Sequence, residues 1–207
     1  MKKIIKDLNI EVLDIPFPKE SNKHILSYLT GHTSWNFATD LGQDHLIRDN
    51  ITKPNGNDYG FYRRTFGDVP QNEHDAYLNT MAQTIKHMID EKSNFNIGII
   101  QRIYWNMYVN SSTMVYHRDK DIQDNCISIV YNLHSNDGGT NFKDYKTITS
   151  KESQALIFKS DILHKGVAPK KIPFRFCLNM VCINNNKWGY NMGKLPTKMP
   201  DDWGWEV

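Results

Sequence analysis

The sequence predicts a mainly β fold with N-terminal helices, and three observations carry that expectation. From Ile97 onward strand-like runs dominate, separated by turns rich in Asn, Asp and Gly. Ahead of them, apolar residues recur at helical spacing. The 207 residues contain no internal repeat and no low-complexity tract, which fits a single domain large enough to bury a full core. Helices followed by strands fit one sheet packed by the N-terminal helices. No stretch approaches the ~20 apolar residues of a membrane span. The charged start Met1-Lys2-Lys3-Ile4-Ile5-Lys6-Asp7 leads into no apolar signal region, so a soluble cytoplasmic chain is expected. Cys126, Cys177 and Cys182 lie in apolar runs with no Cys-x-x-Cys, which favours buried thiols over disulfides or a zinc site.

In chain order, Ser21 to Tyr28 reads as a short helix with Ser21 as its N-cap and Ile25, Leu26 and Leu29 on its apolar side. Gly31 to Pro70 is rich in Gly, Asn, Pro and aromatics (Trp35, Phe37, Tyr59, Phe61, Tyr62, Phe66) and includes Arg63-Arg64. Two readings of it stand: a functional loop over the barrel mouth, or strands that extend the main sheet and bury those rings. Glu73 to Glu91 reads as a longer helix, on which Tyr77, Met81, Ile85, Met88 and Ile89 recur at helical spacing. Its His74 and His87 are read as packing or surface residues rather than metal ligands. Seven strand runs follow: Ile97–Val109, Met114–Asp119, Cys126–Leu133, Thr140–Ile148, Gln154–Phe158, His164–Ala168 and Phe174–Asn184. Seven are enough for a jelly-roll barrel. The domain thus divides into helices and loop (1–96), barrel (97–184) and a Trp-rich tail (185–207) that packs on the domain or serves as a lid or partner contact.

The chemistry resides in His117-Arg118-Asp119, with His164 and Arg175 further along. Two imidazoles and a carboxylate are the facial ligand set that holds non-haem Fe(II) with positions left open. On a strand, residues two apart share a face, so His117 and Asp119 can reach one metal while Arg118 turns away. His164 follows the run Gln154–Phe158 and a turn-like Lys159-Ser160-Asp161. In Phe174–Val181 the apolar even positions alternate with Arg175, Cys177 and Asn179, and an inward guanidinium calls for an anionic ligand.

This ordered set resembles the signature of the Fe(II)/2-oxoglutarate-dependent oxygenase superfamily. Gly138-Gly139-Thr140-Asn141-Phe142 is similar to the Gly-Gly-x-x-Phe strand of its prolyl-4-hydroxylase-like branch. The resemblance spans about Ile97 to Asn184. It implies a double-stranded β-helix (jelly-roll) barrel, Fe(II) on His117, Asp119 and His164, and Arg175 on the distal carboxylate of 2-oxoglutarate. The implied reaction consumes O2 and 2-oxoglutarate, releases succinate and CO2, and hydroxylates a C–H bond of a polypeptide side chain or small molecule. Related halogenases lack the carboxylate ligand, so Asp119 favours hydroxylation or oxidative demethylation.

A second resemblance pulls toward AlkB-type nucleic-acid demethylases. Asn106-x-Tyr108 and His117-x-Asp119-x-Asp121 look like theirs, which implies that Asn106 and Tyr108 contact 2-oxoglutarate. By period-2 counting Arg102, Tyr104, Asn106 and Tyr108 share one face. The ending departs from that family, because Cys177 and Val181 replace its Asn and second Arg. The second partner of the distal carboxylate therefore stays open between Tyr104, Tyr108 and Asn179. From Lys143 to Arg175 eight basic residues face three acidic ones. That excess is either a solvated edge or an attractor for an anionic partner, nucleic acid included. A non-catalytic cupin-type metal-binding jelly roll is the remaining alternative, and it gives Arg175 no task.

Overall fold

The computed structural model describes residues 2–39, 59–66, 73–112, 114–120 and 124–185. The tail from Lys187, Asp121 and the parts 40–58 and 67–70 of the aromatic loop lie outside the described residues. Chain order is β1 (Lys2–Ile5), β2 (Ile10–Asp14), α1 (Lys19–Gly31), β3 (Asn36–Thr39), β4 (Tyr59–Phe66), α2 (Glu73–Asp90) and β5 (Ile97–Val109). There follow β6 (Cys126–Asn132), β7 (Gly139–Phe142), β8 (Thr147–Thr149), β9 (Gln154–Lys159), β10 (His164–Val167) and β11 (Phe174–Asn184).

Two antiparallel sheets result, as the jelly-roll expectation requires. The large one has the order β1-β2-β9-β6-β11-β5-β4-β3 and the small one β10-β7-β8. Alternation along each strand of the large sheet creates two separate cores. On the outer face Ile103 and Trp105 of β5, Ile127, Ile129 and Tyr131 of β6, and Leu178 and Met180 of β11 pack with Ile25 and Leu29 of α1 and Leu78, Ala82, Ile85 and Ile89 of α2. Between the sheets Tyr108, Val130, Phe142, Leu156, Phe158 and Cys177 form the barrel interior.

Several elements differ from the sequence expectation. α1 begins two residues before Ser21, with Pro18 as N-cap and no side-chain cap. The Pro18 carbonyl accepts the Asn22 N–H at 3.1 Å and starts the helix earlier than a hydroxyl cap would suggest. Asn22, fully buried, bonds Ser153 at 2.9 Å and Tyr131 at 3.0 Å, anchoring α1 to the sheet. The run Thr140–Ile148 is a hairpin, β7 and β8, because Phe142 to Tyr145 closes a turn with Asp144 at φ 60°. Met114–Asp119 forms no strand, only a bridge at His117. The aromatic loop supplies β3 and β4, which extend the large sheet; Trp35 and Phe66 pack on the outer core while Phe37 stays 60% exposed. β1 and β2 were not anticipated. Their charge masks them: Glu11 is buried, but it accepts Ser93 Oγ at 2.7 Å and Asn94 N–H at 3.0 Å. Among the described residues no helix is long and apolar enough to cross a membrane.

Candidate metal centre

His117 and His164 face each other through a two-way backbone bridge. The His117 N–H donates to the His164 carbonyl at 2.8 Å and the His164 N–H returns the bond at 3.0 Å. This adds the 114–119 segment to the β10 edge of the small sheet and sets the two ring centroids 4.6 Å apart. Two residues on, the Asp119 N–H donates to the Ser160 carbonyl at 2.9 Å, and the carboxylate Oδ2 lies 3.6 Å from His164 Nε2. Ligand atoms of all three residues lie within 4.8 Å of one another. In a facial set the ligand atoms are mutually cis, so nitrogen and oxygen about 2.1 Å from one divalent ion stand about 3 Å apart, and the three side chains must draw together to hold it. Arg118 turns outward and donates Nε to the Asp161 carbonyl at 3.0 Å.

Each imidazole has its far nitrogen engaged. His117 Nδ1 lies 3.2 Å from the Val115 carbonyl and His164 Nδ1 2.9 Å from that of Ile162. A carbonyl can only accept, so Nδ1 carries the proton in each ring and Nε2 keeps its lone pair for a metal. Phe142 and Phe158 wall the His164 ring at 6.1 and 4.7 Å. Burial, reinforced by the neighbouring His164, pushes the His117 imidazole down to about 4. Burial alone would push the Asp119 carboxyl up. The Arg102 guanidinium, with Nη2 2.7 Å from Oδ1, outweighs it with help from both histidines and holds the carboxyl well below its usual range. On Oδ2 the Ser128 hydroxyl donates at 2.5 Å and Asn179 Nδ2 at 3.4 Å.

Arg175 lies deeper in the same interior, at 1% exposure. Its Nε donates to Ser150 Oγ at 2.8 Å, and Nη2 sits 3.4 Å from both Asn132 Oδ1 and Thr140 Oγ1. The Tyr108 ring stacks 5.0 Å from its Cζ. Nη1 is buried without a hydrogen-bond partner, and among the described residues no carboxylate pairs with the guanidinium. A buried cation with an unused donor fits a carboxylate ligand of the kind 2-oxoglutarate offers.

No protein-family model matches the chain, and comparison with curated proteins finds no match. Solved structures do match. SnoN, a non-haem alpha-ketoglutarate-dependent epimerase from nogalamycin biosynthesis, aligns at 10% identity over 93% of this chain and 86% of that one, with a TM-score of 0.58. A 2OG-Fe(II) oxygenase-family oxidoreductase from Burkholderia pseudomallei aligns at 12% identity over 78% of each chain, with a TM-score of 0.55. HygX from Streptomyces hygroscopicus, solved with nickel and 2-oxoglutarate, aligns at 10% identity over 86% of this chain and 83% of that one, again at 0.55. The fold is that of the 2-oxoglutarate/Fe(II) oxygenases.

Within this oxygenase fold the sequence-derived residues separate into two groups. His117, Asp119 and His164 come together, and Asn179 and Tyr104 join that end: they are cross-strand partners, with Asn179 on Asp119 and Tyr104 stacked 4.6 Å from the Arg102 Cζ. Tyr108 alone of the three candidate carboxylate partners stands opposite Arg175. Asn106 lies between the groups, opposite Cys177. The double glycine has a steric reason. A Cβ on Gly139 would meet the Ile148 carbonyl oxygen at 2.2 Å, and one on Gly138 the Val167 carbonyl oxygen at 2.6 Å. Sequence reasoning gave no role to Arg102, Ser128, Asn132, Thr140 or Ser150. Ser128 and Asn132 had a signal, because they alternate with Ile127, Ile129 and Tyr131 along β6.

Proposed function

We propose that the chain is an Fe(II)- and 2-oxoglutarate-dependent dioxygenase that hydroxylates a C–H bond of a small molecule or a polypeptide side chain. The observation that carries this reading is the pairing, inside one barrel, of a His-Asp-His cluster with a buried guanidinium whose Nη1 has no partner. A metal-binding jelly roll without turnover has no use for that cation, and burying it costs stability. His117, Asp119 and His164 hold the iron, each histidine through Nε2. Arg175 takes the distal carboxylate of 2-oxoglutarate, with Ser150, Asn132 and Thr140 fixing the guanidinium and Tyr108 covering it. Tyr108, Val130, Leu156 and Phe158 exclude water between the sheets. Bound iron would activate O2 as the four-electron oxidant: conversion of 2-oxoglutarate to succinate and CO2 would supply two electrons and the substrate C–H bond the other two, with one oxygen atom going to succinate and one to the substrate.

Charge favours a small-molecule or peptide substrate over nucleic acid. Of the eight basic residues from Lys143 to Arg175, Arg175 is internal, Lys151 pairs with Asp14 at 3.2 Å, Lys165 lies 4.8 Å over the Tyr116 ring, and Lys170 Nζ donates to the Asn110 carbonyl at 3.2 Å. Arg63 makes two bonds to Asp75, at 3.0 and 2.9 Å. A phosphate-tracking surface needs such cations free. Structures of this fold are known with hygromycin B bound to HygX and with nogalamycin RO bound to SnoN, so it admits small molecules in those proteins. The test is incubation with Fe(II), 2-oxoglutarate and heavy-isotope O2 against pools of small molecules, peptides and oligonucleotides. One heavy oxygen atom should appear in a small molecule or peptide. Labelling confined to oligonucleotides moves the substrate to nucleic acid, and failure to convert 2-oxoglutarate with any pool contradicts the enzyme itself.

A further inference from the structure

We propose that Arg102 is a positioning residue that restricts Asp119 to one-oxygen coordination of the metal, which keeps a coordination position open beside it. The inference rests on His117, Asp119 and His164 being the ligand set. The two carboxylate oxygens have different surroundings. Oδ2 faces the His164 Nε2 at 3.6 Å, whereas Oδ1 takes the Arg102 Nη2 at 2.7 Å. A carboxylate free at both oxygens can chelate an ion through both. Chelation would require the second oxygen to turn a lone pair toward the ion and away from its donor, which strains a short charge-assisted hydrogen bond, and such bonds are about twice as strong as neutral ones. The side chains of Arg102 and Asp119 are 20% and 4% exposed, so water does little to replace the contact.

The sheet is built to aim Arg102 at this oxygen. Arg102 stands opposite Val181, but Cys182 pairs with Ile100, so Gln101 is an extra residue on β5. Strict alternation would turn Ile100 inward with Arg102. The bulge instead sends both Ile100 and Ile103 to the outer core and leaves Arg102 as the inward residue at the end of the face that carries Tyr104, Asn106 and Tyr108. Its guanidinium carbon then lies over the Tyr104 ring, 4.6 Å from the centroid. On the other side, Ser128 holds Oδ2 at 2.5 Å. The carboxylate is therefore held from both sides against the rotation that would offer both oxygens.

The consequence is a matter of vacant positions. One-atom ligation by three residues leaves about three of six octahedral positions, enough for a two-atom co-substrate contact and O2. Two-oxygen ligation by Asp119 leaves about two, and the co-substrate and O2 then compete. The test counts exchangeable waters by water-proton relaxation on the Mn(II)-loaded protein, without turnover. The wild type should hold about three, and Arg102→Gln about one fewer, with weakened 2-oxoglutarate binding at the metal. Arg102→Lys, which keeps the charge but replaces the rigid fork with a mobile ammonium, should fall between them. A role confined to folding changes melting temperature and leaves the water count alone. A count of two in the wild type, or an unchanged count in either folded variant, overturns the proposal. Failure of the wild type to bind Mn(II) overturns the ligand set itself, which is a separate result.

Discussion

The two faces of β11 are one residue apart and obey different rules. Phe176, Leu178, Met180 and Cys182 point to the helices and are buried among apolar neighbours. Arg175, Cys177 and Asn179 point between the sheets, where Arg175 and Asn179 each hold a buried polar atom with no partner. Full burial of a side chain such as Leu178 stabilises the fold by roughly 1.5–3 kcal/mol. A buried donor left unpaired costs about 1–3 kcal/mol. The outer face thus contributes stability while the inner face consumes it, and the inner polar groups make sense as parts of a binding site.

The largest effect that sharpens this contrast is expected at His164. His164→Ala should abolish tight Fe(II) binding and all 2-oxoglutarate conversion, and anaerobic titration with unchanged iron affinity would remove His164 from the site. On the outer face Leu178→Ala should destabilise the protein by about 2–5 kcal/mol, the usual cost of a core cavity. Its affinity for 2-oxoglutarate, measured well below the new unfolding midpoint, should match that of the wild type; a large loss would mean that the two faces are not independent.

Acidity should separate the faces more gently. His117 in the metal-free protein is pushed down to about 4, while an unfolded histidine titrates near 6.5. The unfolded state therefore binds the proton first, so this contribution to stability is fully present above about pH 6.5 and is lost as pH falls through about 4. Urea unfolding at several pH values should show that decline in the wild type, and a shallower one in His117→Gln. Equal slopes would show that the surroundings of His117 do not disfavour its charged form. Smallest of all, Tyr108→Phe and Asn106→Ala should each raise the Michaelis constant for 2-oxoglutarate about threefold, the scale of one neutral hydrogen bond. No change in initial-rate kinetics for either variant would leave Arg175 as the only contact on that side.

How much was legible in the sequence follows from the same contrast. β5 and β11 were readable to the residue, Ile97–Val109 and Phe174–Asn184, because long strands that separate an apolar from a polar face carry strong alternation. The triad was readable from ligand type and order, although His117 and Asp119 sit on a segment with a single bridge at His117 rather than on the strand that the spacing argument assumed. The parts that depend on remote partners were not. Ser150, Asn132 and Thr140 reach Arg175 from different parts of the barrel, and the carbonyls of Val115 and Ile162 that orient the histidines have no side-chain signature. The bulge at Gln101 and the burial of Glu11 in β2 likewise depend on pairing that no local pattern contains.

The central claim, that the inner face is built to hold a metal and a dicarboxylate together, is tested most directly by calorimetric titration of 2-oxoglutarate into anaerobic Fe(II)-loaded protein. The wild type should bind one equivalent, and Arg175→Lys should bind at least tenfold more weakly, because losing one charge-assisted hydrogen bond costs on the order of 1.5–3 kcal/mol. Equal affinity in the two proteins, or no binding to the iron-loaded wild type, would contradict it.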